Sequence, residues 1–530
     1  MMGNFNVTQV STCLESIRSK INFPKGTIWK MNTASNQNLS ALIHGFPVNN
    51  IHGILNREIS SVVFDSRKVE AGSLFIAVHG FQQDGFKFIN DAIARGASAF
   101  VTEASIADLK NLKLDENNIT AVCVDDCRSA LAWIGSQFYH RPSDRMDVYG
   151  VTGTNGKTTV TYILDAIHKV RKATSGIIGT IHYSYGDADI TAPMTTPESL
   201  DINRMLHEMT VRKIRRCFLE VSSHSLALKR VYGMRFAVGI FTNLTRDHLD
   251  FHDTIDAYKE TKKGFFRDNF VEKIVTNIDD PVGREIAKEF FGDMLTTGIE
   301  QSADVMAENC LSSETGSCFT LKTPSGSCEI QTRLLGRHNI YNLISAASAA
   351  LLQGIPLEEI KAGLQSIDNI PGRFERIPCD QGFSVVVDYA HTDDALRNVL
   401  QSAQAFTPGR IITVFGCGGN RDRGKRKAMG GVAVEASGFA IVTSDNPRSE
   451  DPQRIVDDIL EGIPSFAKQG KDYEVIVDRK EAIGFAIEQA RPGDLVMIAG
   501  KGHEDYQILN TGKIHFDDRE VAAEAIRRLS

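Results

Sequence analysis

Between Gly153 and Thr159 the chain reads Gly-Thr-Asn-Gly-Lys-Thr-Thr, a run suited to a nucleoside triphosphate. Glycines at 153 and 156 let backbone N–H groups approach phosphate oxygens, the Lys157 ammonium meets the terminal phosphates, and the Thr158 hydroxyl can ligate magnesium. Thr154, Asn155 and Thr159 complete the loop. It departs from the full Walker pattern, because Val151 stands where the first glycine belongs. A carboxylate follows in Glu220-Val-Ser-Ser-His224 and an imidazole, His248, in Thr242-Asn-Leu-Thr-Arg-Asp-His-Leu-Asp250. In a phosphate-loop enzyme a carboxylate at a strand end holds magnesium, usually through water, and an imidazole is a ligand or hydrogen-bond partner. Either residue alone is an ordinary surface or core group; their order behind the glycine-rich loop joins them.

Three later loops carry polar groups. Gly416-Cys-Gly-Gly-Asn-Arg-Asp-Arg-Gly-Lys-Arg426 follows a strand-like run, but it is no dinucleotide fingerprint, since the third glycine is due at 421 and Arg421 stands there. That arginine suits an anion. Asp445-Asn-Pro-Arg448 and Gly500-Lys-Gly-His-Glu504 each follow another apolar run, so both lie beyond strand C-terminal ends, where open α/β sheets bind ligands.

The elements that must position these loops follow from periodicity. Strands are expected at 61–64, 74–78, 99–102 and 121–124, with helices at 88–94 and 129–139, before a proline-marked break at His140-Arg-Pro-Ser143. A strand at 147–151 leads into the glycine-rich loop, and Val160, Ile163, Leu164 and Ile167 give the next segment helical spacing. Pro324-Ser-Gly326 reads as the turn of a hairpin, 342–352 as a helix stopped by Gly354, and Ile370-Pro-Gly-Arg-Phe374 as a boundary. Beyond it, strands at 384–387, 411–415, 439–443, 474–477 and 495–499 alternate with helical stretches, the first at 394–406, which predicts a mainly parallel sheet with helices on both faces.

The fold class is therefore α/β in three domains: a small α/β domain at 38–143, a central phosphate-loop ATPase domain with a parallel sheet at 144–370, and a Rossmann-like doubly wound domain at 371–530. Residues 1–37, with Arg18, Lys20, Lys25 and Lys30 against Glu15 alone, are expected to lie outside the fold, and a chain starting at Met31 to keep its activity.

A length of 530 residues agrees with about three domains. The formal charge of −7 disfavours sequence-independent nucleic-acid binding, and no apolar run approaches the roughly 18 residues that span a bilayer. Nine cysteines, an odd number without paired C-x2-C spacing, point to buried thiols in a reducing cytoplasm.

With Tyr258-x-x-Thr-Lys262, Gly336-Arg-His-Asn339 and Pro371-Gly-Arg-Phe-Glu375 added, these motifs resemble the successive signatures of the Mur ligase family over most of residues 38–530. The resemblance implies an ATP-dependent, ADP-forming amide ligase of cell-wall precursor synthesis, with Mg2+ as cofactor and the three domains taking a UDP-sugar, ATP and an amino acid. It places Asn243, Asn339 and Arg373 at ATP, and implies that Lys262 is carbamylated and holds magnesium with Thr158, Glu220 and His248. A carbamate would present anionic oxygens to a hard cation that an ammonium repels. Ser66, Thr195, Thr196, Ser222 and Arg230 match positions for UDP-N-acetylmuramoyl-L-alanyl-D-glutamate, while Leu228 stands where some members carry Gln.

Asp445, Asn446, Pro447 and Arg448 match the signature of the branch that adds meso-diaminopimelate, with Arg421, Gly500 and Glu504 beside it. There an arginine can grip the distal carboxylate through two parallel hydrogen bonds while Glu504 accepts from the ammonium. Lysine lacks that carboxylate. The resemblance favours a monomer without nucleic-acid or membrane partners; rival readings are addition of L-lysine or another amino acid, a folylpolyglutamate-type donor, and an ATP-binding regulator without catalysis.

Overall fold

The computed structural model describes residues 37–529 apart from 81, 82, 113 and 314. The expectation for 1–36 lies outside the described residues. Gln37, expected to fall in the extension, belongs to the fold: it pairs with Ile59 across a short antiparallel ladder, and its amide donates to Phe138 O at 2.6 Å. The described residues form two compact units, one comprising the chain up to Thr152 with Thr174–Gly239 and Glu260–Lys273, the other Gly153–Ala173, Ile240–Lys259 and Ile274 onwards.

In the first unit, strands Ser61–Val63, Ser73–Ile76, Ala99–Thr102 and Thr120–Cys123 run parallel, and Asn50–His52 joins the edge antiparallel. Alternation along the pleat explains their unbroken apolar text. Leu74 and Ile76 enter one core with Val101, Val122 and Ile134, whereas Phe75 and Ala77 enter another with Ile89, Ala92 and Phe100. The same unit holds a second set, Asp147–Thr152, Arg216–Glu220 and Gly176–Ile178 in parallel, extended antiparallel by His182–Tyr185 and Ala188–Thr191. In the first of these strands buried Tyr183 and Tyr185 alternate with half-buried His182 and Ser184, but four residues each are too few to give a periodic signal.

In the second unit, helix Lys157–Val170 packs against helices Arg337–Leu352 and Leu357–Gln365. The expected hairpin forms from Gly316–Thr323 and Gly326–Thr332. The C-terminal sheet runs in the order Glu375–Ile377, Ser384–Asp388, Leu495–Ala499, Ile411–Phe415, Phe439–Val442, Tyr473–Val475, with only the first strand antiparallel. Val386, Phe415, Val442 and Met497 face one core, and Val387, Val414, Ile441 and Ile498 the other, as a doubly wound sheet requires. The last strand of this sheet in sequence, Leu495–Ala499, inserts between the first two parallel strands, so the loops after residues 388, 415, 442 and 499 emerge at neighbouring strand ends. Among the described residues no helix is long and apolar enough to cross a membrane.

Candidate active site

The glycine-rich loop is shaped by its neighbours. Gly153 and Gly156 adopt φ of +147° and +89°, and a Cβ on them would fall 1.9 Å from Thr242 Oγ1 and 2.2 Å from Asn342 Oδ1. Asn243 holds the loop from the far side, its O accepting from Thr154 N at 2.9 Å and its Oδ1 from Asn155 N at 3.0 Å. The Lys157 ammonium donates to Gly153 O at 2.9 Å and Thr154 O at 2.8 Å, within the loop that would receive phosphate. Thr158 and Thr159 are buried in the first turn of the following helix. Asn339, the expected ATP contact, stands one layer back: its amide donates to Leu335 O, and its Oδ1 accepts from Asn342, the residue against Gly156.

Arg373 reaches the same loop. Its Nη2 donates to Thr158 Oγ1 at 3.1 Å, and its guanidinium lies 4.6 Å from the centre of the Tyr389 ring, a cation–π distance. His248, in left-handed backbone, ends a strained turn after Asp247, and its Nε2 lies 3.3 Å from Asp247 Oδ2. Burial works against ionisation of Asp247, yet the surrounding His248, His391 and Lys425 hold its carboxyl well below the usual range. Asp247 thus orients the imidazole. The strand-end loop at 388–391 adds a half-buried His391, pushed down to about 4 chiefly by desolvation and so neutral near pH 7.

The first unit gathers another network. Glu220, at the end of its strand and 1% exposed, accepts from Thr180 N at 2.8 Å and Thr180 Oγ1 at 2.9 Å. Thr180 Oγ1 also lies 3.1 Å from Thr195 Oγ1, while Thr196 Oγ1 donates to Glu220 O and lies 3.1 Å from Ser222 Oγ. Arg230 spans the loop, donating to Thr196 O at 2.9 Å and Glu198 Oε1 at 2.8 Å. Thr195, Thr196, Ser222 and Arg230 are therefore one constellation around Glu220. Ser66 stands outside it, buried in a 3-10 turn with its hydroxyl bonded to Asp91. Lys262 lies in helix Ile255–Asp268 at 1% exposure.

At the C-terminal sheet the three expected loops converge. Asn446 Nδ2 donates to Glu504 Oε2 at 2.8 Å, and the fully buried Lys501 ammonium lies 3.2 Å from the same oxygen and 3.3 Å from Asn446 Oδ1. Burial, with the nearby Asp445 charge, raises the Glu504 carboxyl despite Lys501. Asp445 stays ionised: burial opposes it, but Lys501, Arg479 and Arg448 prevail. Arg448, at φ +57°, donates to Gly419 O at 2.9 Å; Pro447 O caps the turn by accepting from Glu450 N, and Gly500 N donates to Asp388 O. Arg421 lies alongside. Its guanidinium is disfavoured first by burial and then by the like charge of Arg448, with Glu504 partly offsetting both. Two guanidiniums near one carboxylate are chemically suited to a zwitterion, its carboxylate toward the arginines.

Sequence reading missed Asp247, Thr180, Asn342, Tyr389 and Lys501. Only Asp247, next to His248, and Lys501, inside the Gly500–Glu504 motif, sat close enough to the motifs to be found. The others are brought in by sheet topology.

Comparison with known proteins agrees with this geometry. The chain matches family models described as Mur ligase family, catalytic domain at residues 58–139, Mur ligase middle domain at 151–350, and Mur ligase, glutamate ligase domain at 372–502. It is 44% identical over 494 residues to the UDP-N-acetylmuramoyl-L-alanyl-D-glutamate--2,6-diaminopimelate ligase of Clostridioides difficile (strain 630), covering 93% of this chain and 100% of that protein. The ligase of the same name from Clostridium botulinum (strain ATCC 19397 / Type A) is 43% identical over 475 residues, covering 89% and 96%. A solved structure of a UDP-N-acetylmuramoyl-L-alanyl-D-glutamate--2,6-diaminopimelate ligase superposes with a TM-score of 0.66 at 32% identity, over 93% of this chain and 99% of that one. With its glycine-rich loop, its buried strand-end carboxylate and its doubly wound C-terminal sheet, the chain belongs to the Mur ligase family.

Proposed function

We propose that this chain joins the D-glutamate carboxylate of UDP-N-acetylmuramoyl-L-alanyl-D-glutamate to an amine of meso-2,6-diaminopimelate, converting ATP to ADP and phosphate, in the cytoplasm and as a monomer of three domains. The observation that carries the choice of amino acid is the pairing of Arg421 and Arg448 beside Glu504, which matches a side chain ending in both carboxylate and ammonium. Lysine would leave the arginine pair without an anion. The product serves cell-wall assembly, and through it cell shape and division.

Thr158, Glu220, His248 and Lys262 would hold magnesium. Their donor chemistry fits a hard cation once Lys262 is a carbamate, formed when its neutral amine adds to carbon dioxide and loses a proton. When bound, magnesium supplies positive charge to the phosphate oxygens. Lys157 and the loop N–H groups hold the triphosphate, and Arg373, fixed over Tyr389, adds a guanidinium beside Thr158. The glutamate carboxylate attacks the γ-phosphate, giving an acyl phosphate whose phosphate leaves far more readily than oxide. The amine of the amino acid then adds, and the tetrahedral intermediate collapses to amide and phosphate while Lys157 offsets the negative charge.

An ADP-release assay with the UDP-dipeptide and a panel of amino acids, read by mass spectrometry of the product, tests the reading. Turnover with diaminopimelate and little with lysine is expected; turnover with lysine alone would sink it, and no turnover with any amino acid would favour the regulator.

A further inference from the structure

We propose that Arg426 and Glu450 are positioning residues that set the spacing of Arg421 and Arg448, and thereby the preference for an amino acid with a distal carboxylate; this rests on the reading of these loops as the amino-acid site. Arg426 sits in helix Gly424–Ala436 at 0% exposure, an expensive place for a guanidinium unless its charge is paired; Nε is left without a partner, and both Nη atoms are engaged. Its matches are specific. Nη1 donates to Glu450 Oε2 at 3.0 Å and Asp458 Oδ2 at 2.8 Å, while Nη2 donates to Glu450 Oε1 at 3.0 Å and Gly418 O at 3.2 Å.

These contacts join the two arginine-bearing loops. Gly418 lies three residues before Arg421, and Glu450 two residues after Arg448. Glu450 also accepts from the backbone N–H of Asn420, next to Arg421. Asn420 in turn accepts through Oδ1 from Ser449 N at 3.2 Å and Ser449 Oγ at 2.8 Å, and Gly419 N donates to Asn446 O at 2.9 Å. The parallel Arg426–Glu450 pair is thus the side-chain pin of a seam whose two edges end in the substrate-facing guanidiniums. A fixed separation between them is what discriminates a carboxylate from an uncharged or cationic end, because a bidentate grip tolerates little displacement. Neither residue is placed to touch substrate.

The test uses the full chain and three variants. Glu450→Gln keeps the shape but loses the charge, Arg426→Lys keeps the charge but cannot form the parallel pair, and Arg421→Ala removes a substrate-facing group. ADP release is measured against diaminopimelate, lysine and ATP. Glu450→Gln and Arg426→Lys should raise KM for diaminopimelate about tenfold, narrow its advantage over lysine, and leave KM for ATP and kcat within about threefold. A merely structural brace would lower melting temperature and active fraction, hence kcat, and leave KM for diaminopimelate alone; that result would overturn the proposal. Should Arg426→Lys not fold, Glu450→Gln decides by itself. If Arg421→Ala raises KM while the pin variants do not, the inference fails and the site stands; if Arg421→Ala leaves KM unchanged, the site reading fails and takes the inference with it.

Discussion

Asn155 Nδ2 donates to Asp394 Oδ2 at 3.2 Å, tying the glycine-rich loop to the first turn of helix Asp393–Gln404 beneath the C-terminal sheet. One side chain thereby links the glycine-rich loop to the domain expected to bind the amino acid. Asp394→Ala should raise KM for ATP about five- to tenfold, the scale of one lost hydrogen bond worth about 1 kcal/mol net, and leave KM for diaminopimelate within about twofold. Steady-state kinetics with each substrate varied in turn checks this.

Gly156→Ala should weaken ATP binding by at least about tenfold, because the added methyl meets Asn342 Oδ1 at 2.2 Å on a backbone with φ of +89°. Relieving the clash moves either Asn342 or the N–H groups that face phosphate. Calorimetric titration with a non-hydrolysable ATP analogue measures the loss.

Such glycines show where the sequence was legible. Gly156-Lys157-Thr158 announces its chemistry by spacing alone, and strands at 99–102, 411–415 and 495–499 appear where apolar text predicts them. Strands at 182–185 and 188–191 were missed, since each has only four residues, too few for a period to be read even though Tyr183 and Tyr185 are buried. The same limit hides partners. Thr180 lies 40 residues from Glu220, and Asn342 lies 186 from Gly156; parallel pairing and helix packing, which a local pattern does not encode, bring them together. The motif residues drew their meaning from family resemblance, as Lys262 shows: in sequence it is an ordinary helical lysine, and only its burial to 1% exposure sets it apart.

Lys262→Ala should lower kcat by roughly a thousandfold, as expected for loss of a group that stabilises transferring phosphate, and added acetate or formate should restore part of it. Rescue by a small carboxylate, with none by methylamine, identifies an anionic oxygen as the missing group. Intact mass at mildly alkaline pH in bicarbonate should show the carbamate on the parent chain. Restoration by amine alone would refute it.

Binding of diaminopimelate should weaken in acid. Burial, joined by the Asp445 charge, raises the Glu504 carboxyl above its ordinary value. Falling pH therefore protonates Glu504 early, removes its charge and leaves the substrate ammonium with a weaker partner. KM for diaminopimelate should rise as pH is lowered from neutrality toward about 5, and Glu504→Gln should show a high KM that no longer changes over that range. KM for ATP, measured in parallel, separates this from a general loss of activity.

The largest stability effect is expected at a buried ion pair behind the amino-acid loops. Arg479 Nε and Nη2 donate to Asp518 Oδ1 and Oδ2 at 2.8 and 2.7 Å with both side chains fully buried, and Nη2 also reaches Ala499 O at 2.9 Å. Removing one partner leaves an uncompensated charge in the core, so Asp518→Ala should cost about 3–5 kcal/mol in urea unfolding followed by circular dichroism. Replacing both, as in Arg479→Met with Asp518→Leu, should recover most of that loss, since well-packed apolar side chains often match a buried ion pair. Function should not recover with it. Arg479 also donates to Ser444 O at 3.4 Å, so its guanidinium tethers the ends of the two strands that carry Asp445–Arg448 and Gly500–Glu504. The double variant should melt near the parent yet show a raised KM for diaminopimelate, which distinguishes an ion pair kept for placing loops from one kept for stability.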